Sequence, residues 1–274
     1  MTTFVLWTGV DNRGITSLNF ASDSRISWAN VNDKIEYGQK LFYSQKYPEI
    51  FGFTGDVTLC KSILPHILTY IDELDGISHC SSIMEKQELI YQKFEKFINN
   101  YPATQKNNFS IFYGTKYNTN LHAEFGVLEI VYNKKLNKLD KKNHILENKN
   151  KIFKIYDGSG KEIAQKFDYL WEKSDVGGYS RAVFGAFCDA INSNEDRQTN
   201  NIAQIVSLWR GRENPIVTAY AHHKKIFLNG QEITDTSLLI EKNISIRNHL
   251  FEICDHQGNR LVDAQKQPRP FKSQ

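Results

Sequence analysis

Apolar residues alternate or run in short blocks along most of this chain, broken at regular intervals by turn chemistry. Thr3 to Val10 and Ile15 to Ala21 are strand-like runs on either side of Asp11-Asn12-Arg13-Gly14, which predicts a hairpin. Leu41 to Tyr43 and Glu49 to Thr54 form a second pair of predicted strands. The period then changes from two to about 3.6. Leu59, Ile63, Ile67 and Ile71 mark one face of a helix that Asp56 would cap and Pro65 would kink. Ser82-x-x-Glu85 predicts a capping box for a second helix, with Ile90, Phe94, Phe97 and Ile98 as its apolar stripe. Strands are predicted again over 109–113, 125–132 and 152–156, helices over 161–173 and 178–192, and a strand from Ile202 onward. This order suits an α+β fold with two antiparallel sheets between helical layers, a four-layer αββα sandwich.

Composition adds only bounds. The chain has 274 residues, 40% of them hydrophobic and 24% charged, with a formal net charge of +3, as expected of a soluble globular protein with one large core. No apolar run is long enough to span a membrane. The start has no basic segment followed by an apolar one, so no signal peptide and a cytoplasmic location are expected. Cys60, Cys80, Cys188 and Cys254 are scattered and read as reduced, mostly buried thiols. The histidines lack metal-site spacing, and His222-His223 would face opposite sides if both lay on a strand. No metal and no cofactor is expected.

Two segments stand apart from this pattern. Lys134 to Lys151 carries seven lysines against Asp140 and Glu147. With no aromatic residue interleaved before Phe153, it reads as a solvated hairpin tip rather than a nucleic-acid patch. The tail from about Ile233 to Gln274 predicts a hairpin of Leu250–Cys254 with Asn259–Asp263, turning at His256-Gln257-Gly258, and an extended end at Pro268-Arg269-Pro270.

Candidate chemistry begins at Met1-Thr2-Thr3. Removal of Met1 would give Thr2 a free α-amine beside its own hydroxyl, a nucleophile with its own base, because such an amine has a pKa of about 7.7–8.0. Alone this is weak, since a small second residue merely permits methionine removal. Asp23 and Arg25 alone could be a solvated ion pair in a turn, and Lys40 an exposed lysine. Asp157-Gly158-Ser159-Gly160-Lys161 lacks the spacing of a phosphate loop and could be a simple turn before a helix.

Taken together in order, Thr2-Thr3, Ala21-Ser22-Asp23-Ser24-Arg25, Gln39-Lys40, Gly52-Phe53-Thr54-Gly55, Gly158-Ser159-Gly160 and Asp196-Arg197-Gln198-Thr199-Asn200-Asn201 resemble the proteasome β-subunit family of N-terminal-nucleophile (Ntn) hydrolases. That family includes the peptidase ring of the bacterial two-component ATP-dependent protease. The matching segments run from Thr2 to about Leu208. Thr199 stands where the family has serine, and Asn200-Asn201 where it has Gly-Gly, which would alter that loop.

The resemblance implies an Ntn-hydrolase domain over 2–232, with an insertion at about 134–151 and a C-terminal extension over 233–274. It implies a threonine-type endopeptidase with Thr2 as nucleophile. Lys40 would be the electrostatic partner, Asp23 would hold Lys40 charged, and the Gly55 N–H would bind the oxyanion. Ser159, Asp196 and Thr199 would be hydrogen-bonded around the Thr2 amine. The substrate pocket it implies is built by Ile26, Gly38, Phe42, Phe53 and Val57, nearly all apolar and none charged. Implied partners are a peptide or protein substrate, further copies in a ring-like homo-oligomer, and an unfoldase or other regulatory partner. An Ntn amidase acting on a small amide and an inert proteasome-like scaffold remain open alternatives.

Overall fold

The computed structural model describes residues 2–28, 33–118, 122–146 and 151–266. Strands β1 (Phe4–Asp11) and β2 (Gly14–Asp23) form the expected hairpin. Gly14 closes it at φ +106°, a conformation glycine adopts without a steric penalty. Next come the short pair β3 (Ile26–Ser27) and β4 (Lys34–Ile35), then β5 (Leu41–Tyr43) and β6 (Glu49–Gly55). Helices α1 (Val57–Asp72) and α2 (Ile83–Asn100) follow. Strands β7 (Phe109–Tyr117), β8 (Glu124–Asn133), β9 (Lys138–His144) and β10 (Lys154–Asp157) lead to α3 (Lys161–Glu172) and α4 (Ser180–Asn192). The chain closes with β11 (Ala203–Trp209), β12 (Ile216–His222), β13 (Lys225–Leu228), β14 (Gln231–Glu232), α5 (Ser237–Glu241), β15 (Ile246–Arg247) and β16 (Ile253–Cys254).

Strands β5-β6-β7-β8-β9 make a five-stranded antiparallel sheet. The larger sheet runs β10-β1-β2-β11-β12-β13-β14, with β15 alongside β12 and β16 beside β15. Alternation along β1 shows how the sheets are covered. Phe4 and Leu6 join Phe20, Ile50, Phe112 and Val206 in a cluster drawn from both sheets, whereas Val5 and Trp7 pack with Val183, Phe184 and Phe187 of α4. On the five-stranded sheet, Phe51, Phe53, Ile111 and Tyr113 pack with Leu59, Ile63 and Phe94 of α1 and α2. The period of two therefore sends neighbouring residues of one strand into different clusters. No helix among the described residues is long and apolar enough to cross a membrane.

Several local expectations are refined. Asp56 caps α1 by accepting from the Leu59 N–H at 3.0 Å, and the helix is continuous through Pro65. The Ser82 hydroxyl caps α2 through the Glu85 N–H at 3.2 Å, but the Glu85 carboxylate reaches back to the N–H of Ser81 rather than of Ser82. The lysine-rich segment is more than a hairpin tip, because Lys138–His144 pairs with β8 as an edge strand. In the tail, the predicted second strand reduces to a single bridge, Cys254 to Arg260, and β15 binds the larger sheet in parallel through Ala219–Ile246. Pro268-Arg269-Pro270 lies outside the described residues. His223 sits in the β12–β13 turn at φ +48°, not on the strand, and its ring meets that of His222 at 4.1 Å between centroids. All four cysteines are buried free thiols.

Candidate active site

Thr2 lies at the entry to β1, where Phe4 is paired with Asp157 of β10. The chain leaving β10 therefore has to turn directly over Thr2, and Gly158-Ser159-Gly160 makes that turn. Gly158 is at φ +88°, and a Cβ on it would stand 2.0 Å from the Thr2 carbonyl oxygen; one on Gly160 would stand 1.9 Å from the Thr3 hydroxyl. Only glycine admits so close an approach. The Gly160 N–H donates to the Thr2 carbonyl at 3.3 Å. Between the two glycines, the Ser159 hydroxyl accepts from the Thr2 main-chain nitrogen at 3.2 Å and donates to Asp196 Oδ2 at 2.7 Å. A hydroxyl has one proton to give, so the Asp196 carboxylate orients Ser159 to accept from Thr2.

The second limb of the site starts at Asp23, the last residue of β2. Its Oδ1 accepts from Lys40 Nζ at 2.8 Å and from the Thr3 N–H at 2.9 Å; its Oδ2 accepts from the Arg25 N–H at 2.9 Å and the Asn200 N–H at 3.4 Å. One carboxylate oxygen thus holds both the Lys40 ammonium and the Thr2–Thr3 peptide. Both side chains of the ion pair are 0% exposed. Burial pushes the Lys40 ammonium below its ordinary value, opposed first by Asp23 and then by Asp196.

Lys40 is held at its main chain by Gln204 of β11, a residue the sequence pattern did not single out. Gln204 Oε1 accepts from the Lys40 N–H at 3.0 Å, while its Nε2 donates to the Gly38 carbonyl at 2.7 Å and the Ser24 hydroxyl at 3.0 Å. A signal did exist. Gln204 shares its strand face with Val206 and Leu208, which enter the cluster between the sheets, so a buried amide there demands partners. Asn200 acts similarly, accepting from the Ser24 N–H at 2.9 Å and donating to the Glu36 carbonyl at 2.7 Å. This side chain stands where the resemblance implied glycine, and it ties the 196–201 loop to the chain around Asp23.

Of the site residues expected from sequence, Thr2, Ser159 and Asp196 form one hydrogen-bonded chain, and Asp23 and Lys40 form an ion pair at Thr3. Gly55, at φ +88°, lines the same cavity of about 420 Å³ as Thr2 and Ser159. Thr199 does not reach the Thr2 nitrogen: its hydroxyl donates to the Asp196 carbonyl at 3.2 Å, so it shapes the loop rather than the amine's surroundings. Phe42 and Phe53 lie in the apolar cluster beneath α1, with Val57 packed against it. Ile26 packs on Gly38, where a Cβ would come 2.2 Å from Ile26 Cδ1. None of these five lines the cavity beside Thr2.

No family model matches the chain, and no curated protein matches it in sequence. Solved structures do match. Anbu (ancestral beta-subunit) from Yersinia bercovieri superposes with a TM-score of 0.53 at 13% identity, over 78% of this chain and 86% of that one. The chain has a proteasome-like fold. Eukaryotic HslV from Trypanosoma brucei is also matched, at 11% identity and a TM-score of 0.44, over 75% of this chain and 99% of that one.

Proposed function

We propose that this protein is an N-terminal threonine hydrolase of the proteasome β-subunit type, cleaving peptide bonds through an acyl-enzyme on Thr2 once Met1 has been removed. The observation that carries this reading is the convergence of two limbs on Thr2. Its nitrogen is linked through Ser159 to Asp196, and the adjoining peptide shares Asp23 with a fully buried lysine. Burying such a pair stabilises a fold little or not at all, so its position against the Thr2–Thr3 peptide favours a part in the site. The packing of α1 and α2 on one sheet and of α3 and α4 on the other fits the four-layer αββα arrangement of Ntn hydrolases.

In this mechanism the free α-amine of Thr2 accepts the proton of its own hydroxyl as the oxygen attacks the carbonyl carbon. Ser159, held by Asp196, keeps the amine lone pair directed at that proton. The Lys40 ammonium favours the developing alkoxide, and Asp23 keeps the lysine charged. The Gly55 N–H meets the tetrahedral oxyanion, a contribution of about 3–4 kcal/mol for one such donor. The amine then returns the proton to the departing nitrogen, leaving an ester that water hydrolyses. Phe42, Phe53 and Val57 are taken up by the core beneath α1, so they do not form the apolar pocket expected of them; restricted access to the Thr2 site fits a closed homo-oligomer.

The test is direct. Intact mass should show active protein lacking Met1, and a threonine-directed electrophile should label Thr2 on peptide mapping. Thr2→Ala should abolish turnover, and Thr2→Ser should retain part of it. Active protein that keeps Met1, or full activity in Thr2→Ala, would refute the proposal.

A further inference from the structure

A second recess lies on the face of the larger sheet that α4 covers, where β1, β2 and β11 meet the start of that helix and the C-terminal extension. It encloses about 310 Å³ and is lined mostly by apolar surface, with Trp7, Tyr179, Phe184, Trp209 and Phe251 as its aromatic walls. Trp7 and Phe184 are buried and stack at 6.3 Å between centroids, and the Trp7 indole N–H donates to the Ser180 hydroxyl at 2.8 Å, so the floor is already fixed. Tyr179 and Trp209 are exposed and form the rim. The extension supplies the remaining wall. Phe251 stands edge-on to Phe184 at 5.4 Å, on a backbone at φ +62° that a bulky residue seldom adopts. Asn248 holds that turn, its Oδ1 accepting from the N–H groups of Leu250 and Glu252 at 3.0 Å each.

Arg181 is the one charged side chain among the described residues that line the recess. Its guanidinium lies over the Tyr179 ring at 5.1 Å, its Nε is buried without a hydrogen-bond partner, and no carboxylate among the described residues pairs with it. The cation is therefore left without a counter-charge. Helix α4 begins at Ser180 with no side-chain cap, so the positive end of the helix adds to the same charge. Aromatic walls beside one uncompensated cation select a flat ring that carries a negative charge. We infer that this recess binds a small aromatic carboxylate, with its ring against Trp7, Phe184 and Phe251 and its carboxylate at Arg181. The site shares no lining residue with the cavity beside Thr2 and does not depend on the peptidase reading. It also gives the extension a part in the molecule, because Phe251 closes a wall that the sheet and α4 leave open.

Calorimetric titration of the full chain with phenylacetate, phenylacetamide and cyclohexylacetate tests this. Phenylacetate should bind about tenfold more tightly than phenylacetamide, which lacks the charge, and also more tightly than cyclohexylacetate, which lacks the aromatic face. Added salt should weaken phenylacetate and leave phenylacetamide unchanged, a measurement that needs no variant. Arg181→Gln should bring the ratio of the first two affinities close to one, while Arg181→Lys keeps part of it. Phe251→Ala should weaken both ligands together, and circular dichroism establishes that each variant is folded. Equal affinity of the wild type for phenylacetate and phenylacetamide, or a ratio that Arg181→Gln leaves unchanged, overturns the inference. So does phenylacetate that fails to bind. If Trp209→Arg then also lowers the mass in light scattering, the face belongs to a contact between copies of this chain instead.

Discussion

The Lys40 ammonium lies 2.8 Å from a carboxylate oxygen of Asp23 in a region where neither side chain meets solvent. Because the same oxygen accepts the Thr3 N–H, any displacement of Lys40 is felt at the residue that follows the proposed nucleophile. Lys40→Ala should lower the acylation rate by orders of magnitude. Lys40→Arg should recover little, since a planar guanidinium cannot occupy the site of a compact ammonium. Burst kinetics on Thr2-labelled and unlabelled protein would check this, and wild-type rates in Lys40→Ala would rule the role out.

A pH profile should carry the same signature. Burial lowers the Lys40 pKa from its ordinary 10.5, so the ammonium is lost at a lower pH than that of a free lysine. kcat/KM should therefore rise as the Thr2 amine becomes neutral and fall again on the alkaline side before pH 10.5 is reached. In Lys40→Ala the alkaline fall should vanish along with most of the rate.

Gln204 positions the main chain that presents Lys40. Gln204→Leu would remove the hydrogen bonds that its side chain makes to the buried Lys40 N–H and Gly38 carbonyl. A loss of about 1–3 kcal/mol in stability follows from the unmet hydrogen bonds. Denaturant unfolding measures that loss. In kinetics kcat should drop at least tenfold with KM little changed, because the variant disturbs the lysine rather than the substrate cavity.

Gly158→Ala should be more damaging than its size suggests. The residue sits at φ +88° with the Thr2 carbonyl oxygen 2.0 Å from where a methyl would be placed. Strain of about 1–3 kcal/mol is expected, and its relief by backbone movement would shift Thr2 away from Ser159. Thermal unfolding and the rate of labelling at Thr2 should fall together.

His222 should make the fold acid-sensitive away from the site. Burial and the neighbouring His223 and His249 rings push its imidazole down to about 4 from the ordinary 6.5. Between those values the unfolded chain binds a proton that the folded chain does not, so stability declines as pH falls from about 6.5 to about 4 and is fully retained above that range. His222 is half-buried, and solvent screening limits the effect to about 1–2 kcal/mol. Melting temperature against pH should show a shallower acid limb in His222→Asn; an identical limb would refute the assignment.

What the chain by itself determined is what local chemistry can express. The hairpin at Asp11–Gly14, the Asp56 cap, the helix stripe from Leu59 to Ile71 and the buried thiols follow from periodicity, turn residues and burial preference, each within a few neighbouring residues. The order of Thr2, Asp23, Lys40, Gly55, Ser159 and Asp196 was also legible, through resemblance. Tertiary structure alone decided which of these touch. Ser159 meets the Thr2 nitrogen across 157 positions, and Gln204 meets Lys40 across 164, because the registers of β10 on β1 and of β11 on β2 set those distances. Thr199 turns its hydroxyl to the Asp196 carbonyl in a local turn, whereas Lys138–His144 becomes an edge strand by pairing with β8. Asp157 reads in sequence as one residue of a turn. It becomes the charge on a cavity wall only because the end of β6 is brought against the end of β10, a contact between two sheets that their packing determines.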